Sequence, residues 1–360
     1  MTADPFSTVS SELPRDRWGR PLITPPEGGD PIAYQRVTTF VSALEDTYHL
    51  NLWSQRMVVL GMADRRDLQL AALAIADPDD RNAKKTLNDI ARQAKDAAAG
   101  SAKATIGTAL HSYSERIDRG QDLGNVPAEY LPDLEAYRKI TTGLESVGIE
   151  GFCVRDDLRV GGSYDRIYRF TAEFLDAYAA YYGHRLHYPG RDGLGRLVAG
   201  AGPEVQPGDA IIGDVKTGNI DLGMGKICMQ LGTYANSLDY DHTIGTRTAL
   251  VGNPSKDWGV IVHLPAGSGA ARLVWADLAS GWAVASTLAR GVHEWRKRKD
   301  LAHDFASLTV TRAPEASLVD LIKAAPSYDA LLSLYTQNST SWTPGLTALA
   351  SARKKELSAA

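Results

Sequence analysis

The chain has 360 residues, 44% of them hydrophobic and 23% charged, with 39 basic against 43 acidic side chains and a net charge of −4. That length and composition suit one elaborated core or two modest domains and exclude global disorder. The acidic balance argues against a protein that merely coats nucleic acid, although a local basic groove beside acidic residues stays open.

The two cysteines, Cys153 and Cys228, exclude a disulfide scaffold and a four-cysteine zinc or iron–sulfur site made by this chain alone. No apolar run reaches membrane-spanning length, and the start lacks the basic-then-apolar pattern of a secretory leader. The expectation is a cytoplasmic protein, neither secreted nor in contact with membrane.

Residues 1–33, rich in Pro, Gly and Ser at the start, read as a flexible arm. Thr38 and Thr39 are placed to cap a helix whose apolar positions Phe40, Val41, Leu44, Tyr48 and Leu52 recur at helical spacing. Helical signals continue to Ala76, and after Asp77-Pro78-Asp79-Asp80 an Ala-, Lys- and Asp-rich stretch predicts one or two helices ending near Asp118. From Ile149 the period shortens. Gly151–Val160 and Ser163–Phe170 read as strands joined by a turn at Gly161-Gly162, followed by a helix from Phe170 to Tyr182. The segment 171–208 reads as an insertion, its latter part rich in Gly and Pro. Asp209–Lys216 predicts a strand and Met224–Leu238 a helix. Strands follow at Thr246–Val251, Gly259–Leu264 and Ala271–Trp275, then a helix from about Leu278 to Lys299. Short amphipathic helices around Leu318, Leu331 and Leu346 complete the chain. Helices, then strands, then helices predict an α+β fold: a main domain over 34–304 and a small helical domain over 305–360.

The chemistry concentrates at the strand ends. Asp165 belongs to the second strand of the pair, and Asp214 and Lys216 share a face of the third by period-2 alternation. His111 and Glu115 lie four apart on one helical face. Each group alone has a plain explanation: a packed histidine, a surface ion pair, a partner of Glu115 in Arg116 or Arg119.

Together they resemble the RecB-like branch of the PD-(D/E)XK nuclease superfamily. Gly107-Thr108-Ala109-Leu110-His111 is similar to its histidine helix, and Gly162-Ser163-Tyr164-Asp165-Arg166-Ile167 to its first acidic motif. Asp214-Val215-Lys216-Thr217-Gly218 is similar to its Asp-x-Lys-Thr-Gly motif, and Gln230-Leu231-Gly232-Thr233-Tyr234 to its Gln-x-x-x-Tyr motif. The likeness covers roughly Ile106 to Leu264 and extends to exonucleases of this branch encoded by actinobacterial phages.

The resemblance implies a PD-(D/E)XK core, a central mixed β-sheet flanked by helices, and hydrolysis of phosphodiester bonds with Mg²⁺ or Mn²⁺. His111, Asp165, Asp214 and the backbone carbonyl of Val215 would hold the ion, which neutralises phosphate charge and acidifies water. Lys216 would orient the attacking water and offset developing charge, with Gln230 and Tyr234 reaching back toward it. Glu115 would support the ligands. Arg36, Thr38, Arg166, Thr217, Arg296 and Lys297 are candidate DNA contacts. For Arg36 and Thr38 the competing reading is an ordinary helix cap; for Arg296 and Lys297 it is a solvated helix end favoured by the helix dipole. Gly218 would let the backbone turn beside the site. No iron–sulfur cluster is expected.

The implied activity is a DNA exonuclease acting on linear DNA with free ends, in phage recombination, replication or turnover. A single-strand or structure-selective endonuclease could use the same residues, and a catalytically idle DNA-binding subunit is the rival of another class. The C-terminal helices could dock a recombinase or single-strand annealing protein, and an oligomer is compatible with all of these.

Overall fold

The computed structural model describes residues 12–99, 101–221, 223–301 and 317–359. Two compact units divide between Lys297 and Arg298. The boundary expected at 304/305 falls outside the described residues, as does the segment 1–11 of the expected arm.

The larger unit opens with strands β1 (Leu22–Ile23), β2 (Ile32–Ala33) and β3 (Gln35–Arg36) and the short helix α1 (Val37–Val41). A helical run follows: α2 (Tyr48–Asp64), α3 (Arg66–Leu73), α4 (Arg81–Ala99), α5 (Ser101–Asp118) and α6 (Leu131–Thr141). Next come β4 (Leu144–Ile149), β5 (Phe152–Arg155), β6 (Val160–Ser163), β7 (Arg166–Phe170) and α7 (Ala172–Tyr182). The rest comprises the hairpin β8 (Gly190–Arg191) and β9 (Leu197–Val198), then β10 (Ala210–Lys216), α8 (Met224–Ala235), β11 (Leu238–Asp241), β12 (Thr246–Thr248), β13 (Trp258–His263) and β14 (Arg272–Asp277). It closes with α9 (Leu278–Val284), a π-helical turn at Ala285–Ala289, and α10 (Arg290–Lys297).

The fold is α+β, with mixed sheets flanked by helices. The central sheet has the order β14-β13-β10-β7-β4, in which β10 and β13 run parallel and the other pairs antiparallel. Its two faces are both covered, which is why β10 and β13 read as near-continuous apolar runs. Along β10, Ala210 and Ile212 join the layer beneath α8, α9 and α1, while Ile211 and Val215 join the layer beneath α5 and α6. Alternation therefore puts Asp214 and Lys216 on the α8 face. Helices α8 and α9 cross closely: a Cβ added to Gly281 would lie 2.1 Å from the Cys228 carbonyl oxygen, and one on Gly232 2.7 Å from that of Leu278.

A second sheet has the order β12-β11-β5-β6-β3. The two sheets share a corner. As β4 leads to β5 and β6 to β7, the paired chains leave one sheet for the other together. The Glu150 N–H donates to the Asp165 carbonyl at 3.0 Å and the Tyr164 N–H to the Gly151 carbonyl at 3.0 Å. A bulge in β4 between Ser146 and Gly148 and a left-handed Glu150, φ 54°, produce the bend.

The expected turn at Gly161-Gly162 is instead strand β6, paired with β5, and the hairpin closes through Asp156–Arg159. These glycines serve close approach: added Cβ atoms would lie 3.0 Å from the Phe152 ring and 2.9 Å from the Tyr234 hydroxyl. Thr38 and Thr39 are not caps; they lie inside α1, whose N-cap Arg36 has no side-chain cap. That helix does not continue to Leu52, because Glu45 turns to extended geometry and pairs with Lys226 on α8 at 2.7 Å.

The smaller unit holds α11 (Leu318–Ala324), α12 (Tyr328–Gln337) and α13 (Pro344–Ala359), the amphipathic helices expected there. Ser317 and Ser327 cap the first two, and Ile322, Ala325 and Leu331 form a small core with Trp342 and Leu346. Among the described residues no helix is long and apolar enough to cross a membrane.

Candidate metal centre

The corner between the sheets is where the polar residues meet. Asp165 occupies the bend just before β7. The β7–β10 register, with Ile212 opposite Ile167 and Gly213 opposite Arg166, brings Asp214 level with Asp165 one step further on. Alternation points Asp214 to the α8 face, while Asp165 at the bend reaches His111 of α5. Asp165 Oδ2 accepts from the Val215 N–H at 3.1 Å and meets His111 Nε2 at 2.9 Å.

Electrostatics differ sharply between the two acids. Burial opposes ionisation of Asp165, but the hydrogen bond and charge of His111, the Lys216 charge and the Val215 N–H outweigh it and hold its pKa below the ordinary value. Asp214 is 2% exposed, and burial, with the Asp165 charge next, pushes its pKa up to about 6. Lys216 Nζ lies 2.6 Å from Asp214 Oδ2, and this charge more than offsets burial and raises the lysine pKa. The contact is a close, buried ion pair in which the Lys216 ammonium donates to Asp214.

His111, on α5, has its pKa raised chiefly by the hydrogen bond to Asp165. A third acid, which sequence reasoning missed, completes the group. Glu150 Oε1 lies 3.8 Å from His111 Nε2, and ligand atoms of His111, Glu150 and Asp165 all fall within 4.8 Å of one another. Burial, then the Asp165 charge, raises the Glu150 pKa. Its left-handed backbone is the one signal of special placement, and that is visible only in the structure. Glu115 is bound by Arg119 at 3.0 Å, the plain partner weighed for it above, although its charge also bears on Glu150.

Arg166 is not a DNA contact. Its side chain is 0% exposed and lies on the inward face of β7 with Tyr168 and Phe170. The guanidinium bonds Asp118 through Nε, the Asp165 carbonyl at 2.8 Å and, more loosely, Glu150 at 3.4 Å. Tyr137 donates to the same Asp118 at 2.6 Å. This buried network fixes the backbone that carries Asp165 from behind.

Gln230 is half-buried on α8, next to the Tyr234 hydroxyl with which it hydrogen-bonds. Tyr234, 2% exposed, is a core residue whose hydroxyl feels the charges of Asp165 and Asp214. Thr217 faces α5, where a Cβ on Gly107 would lie 2.7 Å from its Oγ1. The backbone bends at Gly218, as expected, without a left-handed φ, and its carbonyl accepts from His263 Nε2 at 2.9 Å. Arg36 and Thr38 are exposed, as is Arg296, and Lys297 pairs with Glu294 at 2.8 Å. Cys153 is buried and Cys228 half-buried; both are free.

Carboxylates plus one imidazole are a donor set for a hard divalent ion with some tolerance for nitrogen, Mg²⁺ or Mn²⁺. Three acids meet at this corner, and the raised pKa values of Asp214 and Glu150 describe excess negative charge that such an ion would neutralise. The residues present fit the group. No family model and no curated protein matches the chain.

Proposed function

We propose that the chain is a metal-dependent deoxyribonuclease with a PD-(D/E)XK core of the RecB-like kind, acting as an exonuclease on linear DNA. The observation that carries this reading is the convergence of Asp165, Asp214 and Lys216 with His111 at one sheet corner, although 103 positions separate His111 from Asp214.

Bound Mg²⁺ or Mn²⁺ would supply neutralisation of the scissile phosphate and a more acidic water. Asp165 and Asp214 would hold the ion, with His111 beside them. Lys216, charged and paired with Asp214, is placed to orient the attacking water and offset charge that develops in the transition state. Gln230 and Tyr234 support this from α8, and the Val215 N–H keeps Asp165 aimed. The preference for DNA ends comes from the resemblance of the four motifs.

Lys216→Ala tests the assignment. The variant should bind DNA as the wild type does and lose cleavage by about three orders of magnitude, the scale seen when a charge-stabilising donor is removed. Retained cleavage would remove Lys216 from the chemistry.

A further inference from the structure

We infer that Glu150 is a direct ligand of the divalent ion, on the imidazole side of Asp165; the inference rests on the reading of this corner as a metal centre. Donor spacing supports it. Ligands of one octahedral ion with bonds near 2.1 Å lie about 3.0 Å apart when adjacent and about 4.2 Å apart when opposite. His111 Nε2 is 2.9 Å from Asp165 Oδ2 and 3.8 Å from Glu150 Oε1, within that range without rearrangement of the chain.

Glu150 is also underused. Its carboxylate, half-buried, has the long 3.4 Å bond to Arg166 as its closest cationic contact. Arg166 is already committed to Asp118 and the Asp165 carbonyl, so it steers Glu150 rather than neutralising it. Asp214, level with Asp165 across the β7–β10 register, is buried and paired with Lys216 at 2.6 Å. A cation held at Asp165 would thus draw on Glu150 and His111, whose ligand atoms lie within 4.8 Å of its carboxylate. A site with two or three carboxylates and one nitrogen should prefer Mn²⁺ to Mg²⁺.

The test is calorimetric titration of Mn²⁺ alone into metal-stripped full-length protein, without DNA, for the wild type, Glu150→Gln, Glu150→Gly and Glu115→Gln. Glu150→Gln and Glu150→Gly should each bind Mn²⁺ at least about tenfold more weakly, while Glu115→Gln stays within about twofold. Glu150→Gly should melt no lower than the wild type, because glycine suits the left-handed backbone at this position, so its lost affinity is not lost folding. Unchanged affinity in both Glu150 variants overturns the inference and leaves the metal centre standing. No Mn²⁺ binding by the wild type overturns the metal centre itself.

Discussion

Arg166→Met replaces a fully buried guanidinium with an apolar side chain of similar length. It leaves the Asp118 carboxylate, 6% exposed, with Tyr137 as its remaining neutral partner, and strips the Asp165 carbonyl of its 2.8 Å donor. Removing one member of a buried ion pair costs about 3–5 kcal/mol, because the stranded charge cannot regain water. For a domain of this size roughly 2–4 °C of melting temperature accompanies each kcal/mol, so the expected fall is on the order of 10 °C. Thermal melts of the wild type, Arg166→Met, Asp118→Asn and the double variant measure it. The double variant, which has no stranded charge, should regain at least half of the loss. A single variant melting within about 2 °C of the wild type, or a double variant as poor as the sum of the singles, would refute the reasoning. Folded Arg166→Met should also keep the salt dependence of DNA binding, since a guanidinium with no solvent exposure meets no phosphate.

Two further outcomes follow from the same geometry. The His111–Asp165 pair is at full strength where Asp165 is ionised and His111 protonated. In EDTA its stabilisation is therefore present above the lowered Asp165 pKa and lost as pH rises through the raised His111 pKa. The melting-temperature advantage of the wild type over His111→Gln should be largest near about pH 6 and shrink toward about pH 9; a pH-independent difference would contradict the pairing. Gly281→Ala drives a methyl into the Cys228 carbonyl across the α8–α9 crossing and should lower stability by about 1–3 kcal/mol or more in urea titrations. Because α8 carries Gln230, activity of the folded protein should fall with it, and an unchanged urea midpoint would show that the helices do not meet so closely.

Much of this arrangement is legible in sequence because it depends on local patterns. The apolar run of β10, the helix α8 and the strands β13 and β14 follow from burial on two faces or one. Alternation alone puts Asp214 and Lys216 on one face. The same rule, applied to Arg166, Tyr168 and Phe170, would have placed Arg166 indoors; a neighbouring acidic motif suggested a phosphate contact instead. Gly161-Gly162 looked like a turn because space needed by an aromatic ring and freedom needed by a turn select the same residue. Glu150 has no spacing signature. Its position depends on a bulge, a left-handed residue and the pairing of two chains at a bend, none of which a linear pattern specifies.

The central claim is hydrolysis of DNA at the Asp165–Asp214–Lys216 corner. End-labelled linear duplex, linear single strand and closed circular duplex, each incubated with Mg²⁺, Mn²⁺ or EDTA, test it directly against Lys216→Ala. The account predicts loss of linear DNA only, only with metal and only with Lys216 in place. Nicked circles would replace the exonuclease reading with an endonuclease, and intact substrates under every condition, with DNA still bound, would contradict catalysis at this site.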